Sequence, residues 1–307
     1  MGCWRSRMTA IDFGSVSFTA DRAAVAIALQ QVADRYLDGM EPTVAEAVRY
    51  ALMGEGKRLR AILLIAAYRA SGGTGDASGL AAAVEVVHAY SLVHDDLPCM
   101  DDDDVRRGRP TVHKAFTVSA ATAAGLAMVP MAARAACDAA MTLVGDPRVA
   151  GEIVRTLMSA SGAGGMIGGQ LLDLEGEGTA LDLRQLERVH RLKTGALINA
   201  SVRIGGLAAG ANESCLAALE QYGAAVGLAF QIADDVLDIT ATTDQLGKTA
   251  GRDVELQKST YPALLGLVGA RQRAAALSDD ACRVLHDAGV HSPALDYLAR
   301  FIVARRS

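Results

Sequence analysis

Apolar residues recur along this chain at three- and four-residue intervals, and no stretch alternates residue by residue as a half-buried strand would. The first helical run covers residues 19–37. Pro42-Thr-Val-Ala-Glu-Ala opens a second, with Pro near its start and Glu in its first turn. That run passes through Val48, Tyr50, Ala51 and Leu52 to Gly54-Glu-Gly56. Lys57-Arg-Leu-Arg60 then leads into the apolar segment Ala61–Ala67. Residues 71–79, rich in Gly and Ser, form a turn, and a helix starting near Leu80 ends in a dense aspartate stretch. Residues 111–143 are alanine-rich and helical, with Pro130 expected to kink or divide them. Residues 150–175 hold glycines and serines that let helices approach closely. Helices follow over 181–209 and 213–240, then a loop from Thr240 to Asp253, then two or three more beyond Tyr261-Pro262. The pattern predicts an all-α single domain over 19–307, preceded by a poorly ordered extension over 1–18.

Composition supports helices packed through small side chains. Of 307 residues 51% are hydrophobic and only 4% aromatic, which disfavours a β-sandwich. A net charge of −5 without a basic stripe argues against nucleic acid as a partner. The five cysteines (Cys3, Cys99, Cys137, Cys215, Cys282) form no CxxC pair and read as reduced thiols of a cytoplasmic protein. No apolar run free of polar interruption predicts stable membrane insertion. Met1-Gly-Cys-Trp-Arg-Ser6 fits a lipidation pattern, but Met8 offers an alternative start, so residues 1–7 read as an upstream extension.

Two acidic stretches change the picture from fold to chemistry. The stretch from His88 to Arg107 carries Asp95, Asp96, Asp101, Asp102, Asp103 and Asp104 within ten residues, followed at once by Arg106 and Arg107. Carboxylates this dense repel one another and require cations. Oxygen ligands without His or Cys company suit Mg²⁺, which binds through a few carboxylates plus substrate phosphates. Asp234 and Asp238 sit four apart in Phe230-Gln-Ile-Ala-Asp-Asp-Val-Leu-Asp238 and share a helical face, while Asp235 points away. Asp95 and Asp101 are six apart, so they share a face only if the chain bulges after Asp96. Two carboxylate walls could then hold Mg²⁺ around a diphosphate, with Arg106, Lys193, Lys248 and Lys258 neutralising it from the other side. Lys57 and Arg60, three apart, suggest a second anion site at a helix start. Leu246-Gly-Lys-Thr249 is no P-loop, because Thr242 stands where the first glycine belongs.

Together these motifs resemble the trans-polyprenyl diphosphate synthases, in particular the bacterial farnesyl-diphosphate-synthase-like group. Gly-Lys-Arg-Leu-Arg60, Asp-Asp-Leu-Pro-Cys-Met-Asp101, Lys-Thr-Gly195, Phe-Gln-Ile-Ala-Asp-Asp-Val-Leu-Asp238 and Gly-Lys-Thr249 carry the likeness, which spans about residues 40–303. It implies an isoprenoid-synthase-type helical bundle around a central cavity, and a homodimer. It implies Asp95, Asp101 and Asp234 as the main Mg²⁺ ligands with Asp96 and Asp238 in support, three ions in all, and Mn²⁺ as an alternative metal. Arg106, Lys193, Thr194, Gln231 and Lys248 would hold the allylic diphosphate, and Lys57, Arg60, His88 and Arg107 isopentenyl diphosphate. The implied reaction is head-to-tail condensation of the two. Tyr90, five residues and about 7.5 Å before Asp95 on the helix, would floor the tail pocket beside the small Ser91 and stop growth at C15.

The chain departs from that pattern where Leu126 replaces an acidic residue in Ala124-Gly-Leu-Ala-Met128, just before Pro130. The alternatives are a geranyl or geranylgeranyl diphosphate synthase, a non-catalytic partner subunit, and a class I terpene cyclase. The last would usually pair its aspartates with an Asn/Ser/Glu triad, which residues 234–238 lack, and would have little use for Lys57, Arg60 and Arg107.

Overall fold

The computed structural model describes residues 16–240 and 258–305. Residues 1–15 of the expected 1–18 extension and the segment carrying Lys248 lie outside the described residues. Helices dominate: α1 (Thr19–Tyr36), α2 (Pro42–Leu52), α3 (Leu59–Ala70) and α4 (Ser78–Asp95) come first. A two-residue antiparallel pair, β1 (Val105–Arg106) and β2 (Arg109–Pro110), follows. Then come α5 (Val112–Ala115), α6 (Val118–Leu143), α7 (Pro147–Ser161), α8 (Met166–Glu175), α9 (Leu183–His190), α10 (Ala196–Ala208), α11 (Glu213–Thr240), α12 (Tyr261–Asp287) and α13 (Pro293–Ala304).

Local chemistry explains most boundaries. Glu41 accepts from the Val44 N–H and Pro42 sits in the first turn of α2. Asp146 with Pro147, and Ser292 with Pro293, start α7 and α13 the same way. Asp182 and Gln185 form a reciprocal capping box on α9.

The core surrounds α4, whose residues from Leu80 to Val87 are almost wholly buried, and which packs on α1, α3 and α6. A second apolar cluster joins α3, α10, α11 and α13 around Ile62, Leu63, Ile198, Leu219 and Tyr222. The Tyr222 hydroxyl, fully buried, donates to the Leu295 carbonyl at 2.7 Å. The helices α6 and α11 are long and apolar enough to cross a membrane by length and composition. Half of α6's apolar window and 56% of α11's are buried inside the protein, so both are core helices.

Three expectations are corrected, and the Gly-rich stretch resolves into separate helices. Pro130 neither divides nor ends α6. It is exposed, so the carbonyl of Leu126 that loses a helical donor faces solvent. Residues 150–175 are two helices, because Gly162 adopts extended ψ and Gly165 non-helical angles between them. Lys57 and Arg60 do not share a helical face, because Arg58 takes a left-handed conformation (φ 53°, ψ 34°) and α3 begins only at Leu59. The small β pair was not expected from the sequence pattern, because two residues carry no alternation.

Candidate active site

Helix α4 ends at Asp95, and the chain then loops back on itself. The Asp101 N–H donates to the Asp95 carbonyl at 2.9 Å, and the Asp102 N–H to the Leu97 carbonyl at 3.2 Å. This is the bulge that brings Asp101 beside Asp95. Burial pushes the Asp95 carboxyl up to about 6, and Asp101 and Asp96 add to the rise while Lys193 and Arg106 oppose it. Asp96, 3% exposed, is also raised, first by burial. It accepts from Arg106 Nε at 2.6 Å, and Arg106 also reaches Asp103 at 3.3 Å. Asp96 and Arg106 therefore meet each other across the loop.

The facing wall is the end of α11. Asp234 is partly exposed and takes Arg305 Nη2 at 2.6 Å. Asp238, one turn on, is 5% exposed, and neither carboxylate oxygen has a hydrogen-bond partner among the described residues. Asp235 is a buried anchor: it accepts the Tyr261 N–H at 3.0 Å and Gln231 Nε2 at 3.2 Å, and meets His190 Nε2 at 3.1 Å. That ties α9 and α12 to α11.

Lysines stand beside the first wall. Residues Arg191–Gly195 form one π-helical turn between α9 and α10, a bulge common at functional sites. Gly169 lets α8 approach that turn, since a Cβ there would lie 2.1 Å from the Lys193 nitrogen. Lys193 Nζ donates to Asp173 at 2.7 Å and Lys258 Nζ to the same oxygen at 2.8 Å. Burial opposes ionisation of Asp173, but the two ammoniums win and hold its carboxyl at about 2. Lys193 feels Asp95 and Asp101 as well, and Lys258 lies 3.8 Å from Asp101. The Thr194 hydroxyl donates to Gln231 Oε1 at 2.9 Å. Asp173 is the functional candidate that the sequence did not single out. Its three-residue spacing from Gln170 was the only signal.

A second region, at the start of α3, is cationic. Burial lowers the proton affinity of Lys57, Arg60 and Arg107; Arg305 and Arg107 lower Lys57 and Arg60 further, and Arg106 and Arg58 lower Arg107. Asp234 acts in the opposite sense on Lys57 and Arg60, so the two regions adjoin. Burial, then Arg60 and Arg107, keep the His88 pKa well below its ordinary value. Arg60 Nη1 lies 3.4 Å from His88 Nε2. Arginine only donates, so Nε2 accepts and the ring proton sits on Nδ1. Neutral His88 thus adds no charge to a pocket already positive. The described non-glycine residues with positive φ are Arg58, Asp102 and Arg107, all in the loops of these two regions. Each such conformation costs roughly 1–2 kcal/mol, and strain of this kind gathers at functional sites.

Beneath the acid wall, Tyr90 and His94 pack edge to face with centroids 4.8 Å apart. His94 lies over α6 at Gly125, where a Cβ would sit 2.2 Å from Nε2. Ser91 is half-buried and its hydroxyl donates to the His88 carbonyl at 2.9 Å. Leu126 points away from this pocket and is 62% exposed, so the departure from the family pattern falls on the outer surface of α6.

Asp102, Asp104 and His113 form another compact acid–imidazole group, with ligand atoms within 4.8 Å of one another. Asp102 and Asp104 are exposed, and Asp104 is held by Lys114 at 2.9 Å. Among the described residues Asp95, Asp101 and Asp234 do not close into such a trio, so an ion between the walls would take part of its shell from elsewhere.

The polyprenyl synthetase family model matches residues 41–286. The chain belongs to that family. A farnesyl diphosphate synthase of Escherichia coli is 48% identical over 267 residues, covering 85% of this chain and 89% of the relative. The apo crystal structure of an FPP/GFPP synthase from Zymomonas mobilis superposes with a TM-score of 0.81 at 36% identity, covering 93% of this chain and 98% of that one. A geranyltransferase from Helicobacter pylori, solved with magnesium and isoprenyl diphosphate, matches with a TM-score of 0.76 at 29% identity over 94% of this chain and 98% of that one. The polyprenyl synthetase fold is thus the helical bundle described above. Its two acid walls also suit a hard divalent cation. The donors are carboxylate oxygens, burial drives Asp95 towards protonation with Asp101 and Asp96 adding to the rise, and Asp238 is buried with acceptors unmet among the described residues.

Proposed function

We propose that this chain is a trans-prenyltransferase that condenses isopentenyl diphosphate head-to-tail with dimethylallyl or geranyl diphosphate, with farnesyl diphosphate (C15) as main product. One observation carries the reading. An acid-rich site with lysines adjoins a predominantly cationic pocket, and α4 contributes residues to both. A single-substrate cyclase needs the first site but not the second. The first suits a metal-bound allylic diphosphate, the second a diphosphate bound by cations alone.

Asp95, Asp101 and Asp234, supported by Asp96 and Asp238, would hold Mg²⁺, and we take three ions as the number, with Mn²⁺ as the substitute metal. Bound there, the metal supplies charge neutralisation for a departing diphosphate. Lys193 and Lys258, held in place by Asp173, add cations on the same side as the C–O bond ionises. Lys248, in the segment not described, is assigned to the same diphosphate on motif grounds alone. Thr194 and Gln231 brace one another at the edge. Lys57, Arg60 and Arg107 grip isopentenyl diphosphate so that its double bond faces the allylic carbon. Proton loss then falls to the released diphosphate, since neutral His88 already accepts from Arg60. Tyr90 with His94 closes the tail pocket.

An exposed apolar face on α6 supports a homodimer: Leu126 and Pro130 are four apart and Met141 is eleven beyond Pro130, so the three project from one side of the helix, with Val118 at its edge. The protein is assigned to the cytoplasm. The direct test is incubation of purified protein with Mg²⁺, labelled isopentenyl diphosphate and geranyl diphosphate, followed by product-length analysis. C15 product supports the reading, while failure to consume isopentenyl diphosphate overturns it.

A further inference from the structure

Glu85 is only 2% exposed and lies on α4 three residues before His88, on the same helix face. One carboxylate oxygen accepts the Ala61 N–H at 3.3 Å, which is an otherwise unmatched donor in the first turn of α3. The other accepts Arg58 Nη1 at 3.2 Å. The second Arg58 terminal nitrogen donates to the carbonyls of Leu52 at 3.2 Å and Gly54 at 2.6 Å. Glu85 therefore fixes, through one arginine, the end of α2, the following loop and the start of α3. Lys57 and Arg60 flank Arg58 in that segment, and Arg58 itself holds left-handed angles that persist only when the surroundings fix them. From the other side Arg107 Nη1 donates to the Glu55 carbonyl at 2.8 Å.

Charge alone would make this carboxylate unwelcome. It acts on Arg60 and Arg107, the cations of the basic pocket, and its negative field opposes a diphosphate there. A buried acid beside an anion site makes sense if geometry outweighs that repulsion. We propose that Glu85, working through Arg58, is a positioning residue for the donor diphosphate: it sets where Lys57 and Arg60 point. The proposal rests on the reading of the basic pocket as the isopentenyl diphosphate site, but its first test does not.

That test measures binding of inorganic diphosphate in EDTA by calorimetry, with Arg60→Gln as the variant that identifies the pocket. Glu85→Gln keeps an acceptor for Ala61 and loses the ion pair. Expected is about tenfold weaker diphosphate binding, the size of one lost charge-assisted bond. With Mg²⁺ and substrates, the KM for isopentenyl diphosphate should rise about as much, with kcat and the allylic KM within about twofold. Arg58→Gln should do the same, and the double variant should be no worse than either single one, because the two side chains act as a unit. Should Glu85→Gln not fold, Arg58→Gln decides alone. Tighter diphosphate binding in Glu85→Gln, or a lowered Tm with both KM values unchanged, overturns the proposal. If the wild-type chain binds diphosphate but does not condense prenyl substrates, the functional reading fails while the diphosphate series still decides the clamp.

Discussion

Arg305 lays its guanidinium on Asp234, with Nη2 2.6 Å from Oδ1, while also donating to the Phe230 carbonyl and stacking over the Phe230 ring at 3.9 Å. A cation from the last helix's end thus sits on a carboxylate we assign to the metal. Metal binding has to displace or share that contact. Arg305 is buried, but Asp234 is 40% exposed, and solvent screening at that end keeps the pair's contribution to roughly 0.6 kcal/mol, equivalent to about threefold in affinity. Arg305→Ala should therefore lower the half-saturating Mg²⁺ concentration about threefold, read by metal titration of turnover and by calorimetry with a non-reacting diphosphate. An unchanged or higher requirement would show that Arg305 does not compete with the metal.

The walls themselves give a second prediction. Asp101→Asn or Asp234→Asn should reduce kcat by about a hundredfold or more, since each removes a charge meant for the metal that offsets the leaving group. EDTA should abolish turnover of the wild-type protein, yet inorganic diphosphate should still bind the basic pocket. If EDTA removes both, the two regions are one site and the assignment is wrong.

Asp173 makes stability depend on acid. Its folded-state carboxyl titrates at about 2, against 3.8 as the reference value. A depressed pKa means the contribution is complete above the unfolded value and lost as pH falls through the folded one, here from about 4 down to about 2. The difference corresponds to about 2 kcal/mol. Asp173→Asn should lower Tm at neutral pH by several degrees, and the gap to wild type should close across that window. A gap independent of pH in thermal melts would remove the two lysines as its cause.

Product length tests the pocket floor. Tyr90 is 7% exposed and braced by His94, which in turn has no room to move towards Gly125. Tyr90→Ala opens the space beneath the acid wall and should shift products beyond C15. Mass spectrometry showing C15 unchanged would assign Tyr90 to the core and the stop to another residue.

Met141, 39% exposed on α6, tests assembly. Met141→Asp should convert a dimer to monomers in light scattering, because a charge at a packed apolar seam is costly to bury. A wild-type monomer would remove the homodimer altogether.

Much of this was legible in the chain. The 3.6-residue periodicity located nearly every helix, the density of aspartates marked the first wall and their four-residue spacing the second. Those signals are local, and so is the chemistry behind them. What escaped were long-range partnerships. Asp173 meets Lys258 across 85 residues and Arg305 meets Asp234 across 71, and neither pairing leaves a trace in spacing. Glu85 hid for a different reason: one acid in an apolar run reads as a blemish until its partner is seen. The left-handed turn at Arg58 was also invisible, since arginine seldom adopts it.

The π-helical turn at Arg191–Gly195 has one consequence for how this segment can vary. Such a turn accommodates one residue more than an α-helix would need, and each residue of a helix advances the side chains by about 100°. Deleting a single residue between α9 and α10 would let the segment relax into uninterrupted α-helix and swing Lys193 away from Asp173. The segment should therefore accept changes of side chain far more readily than changes of length.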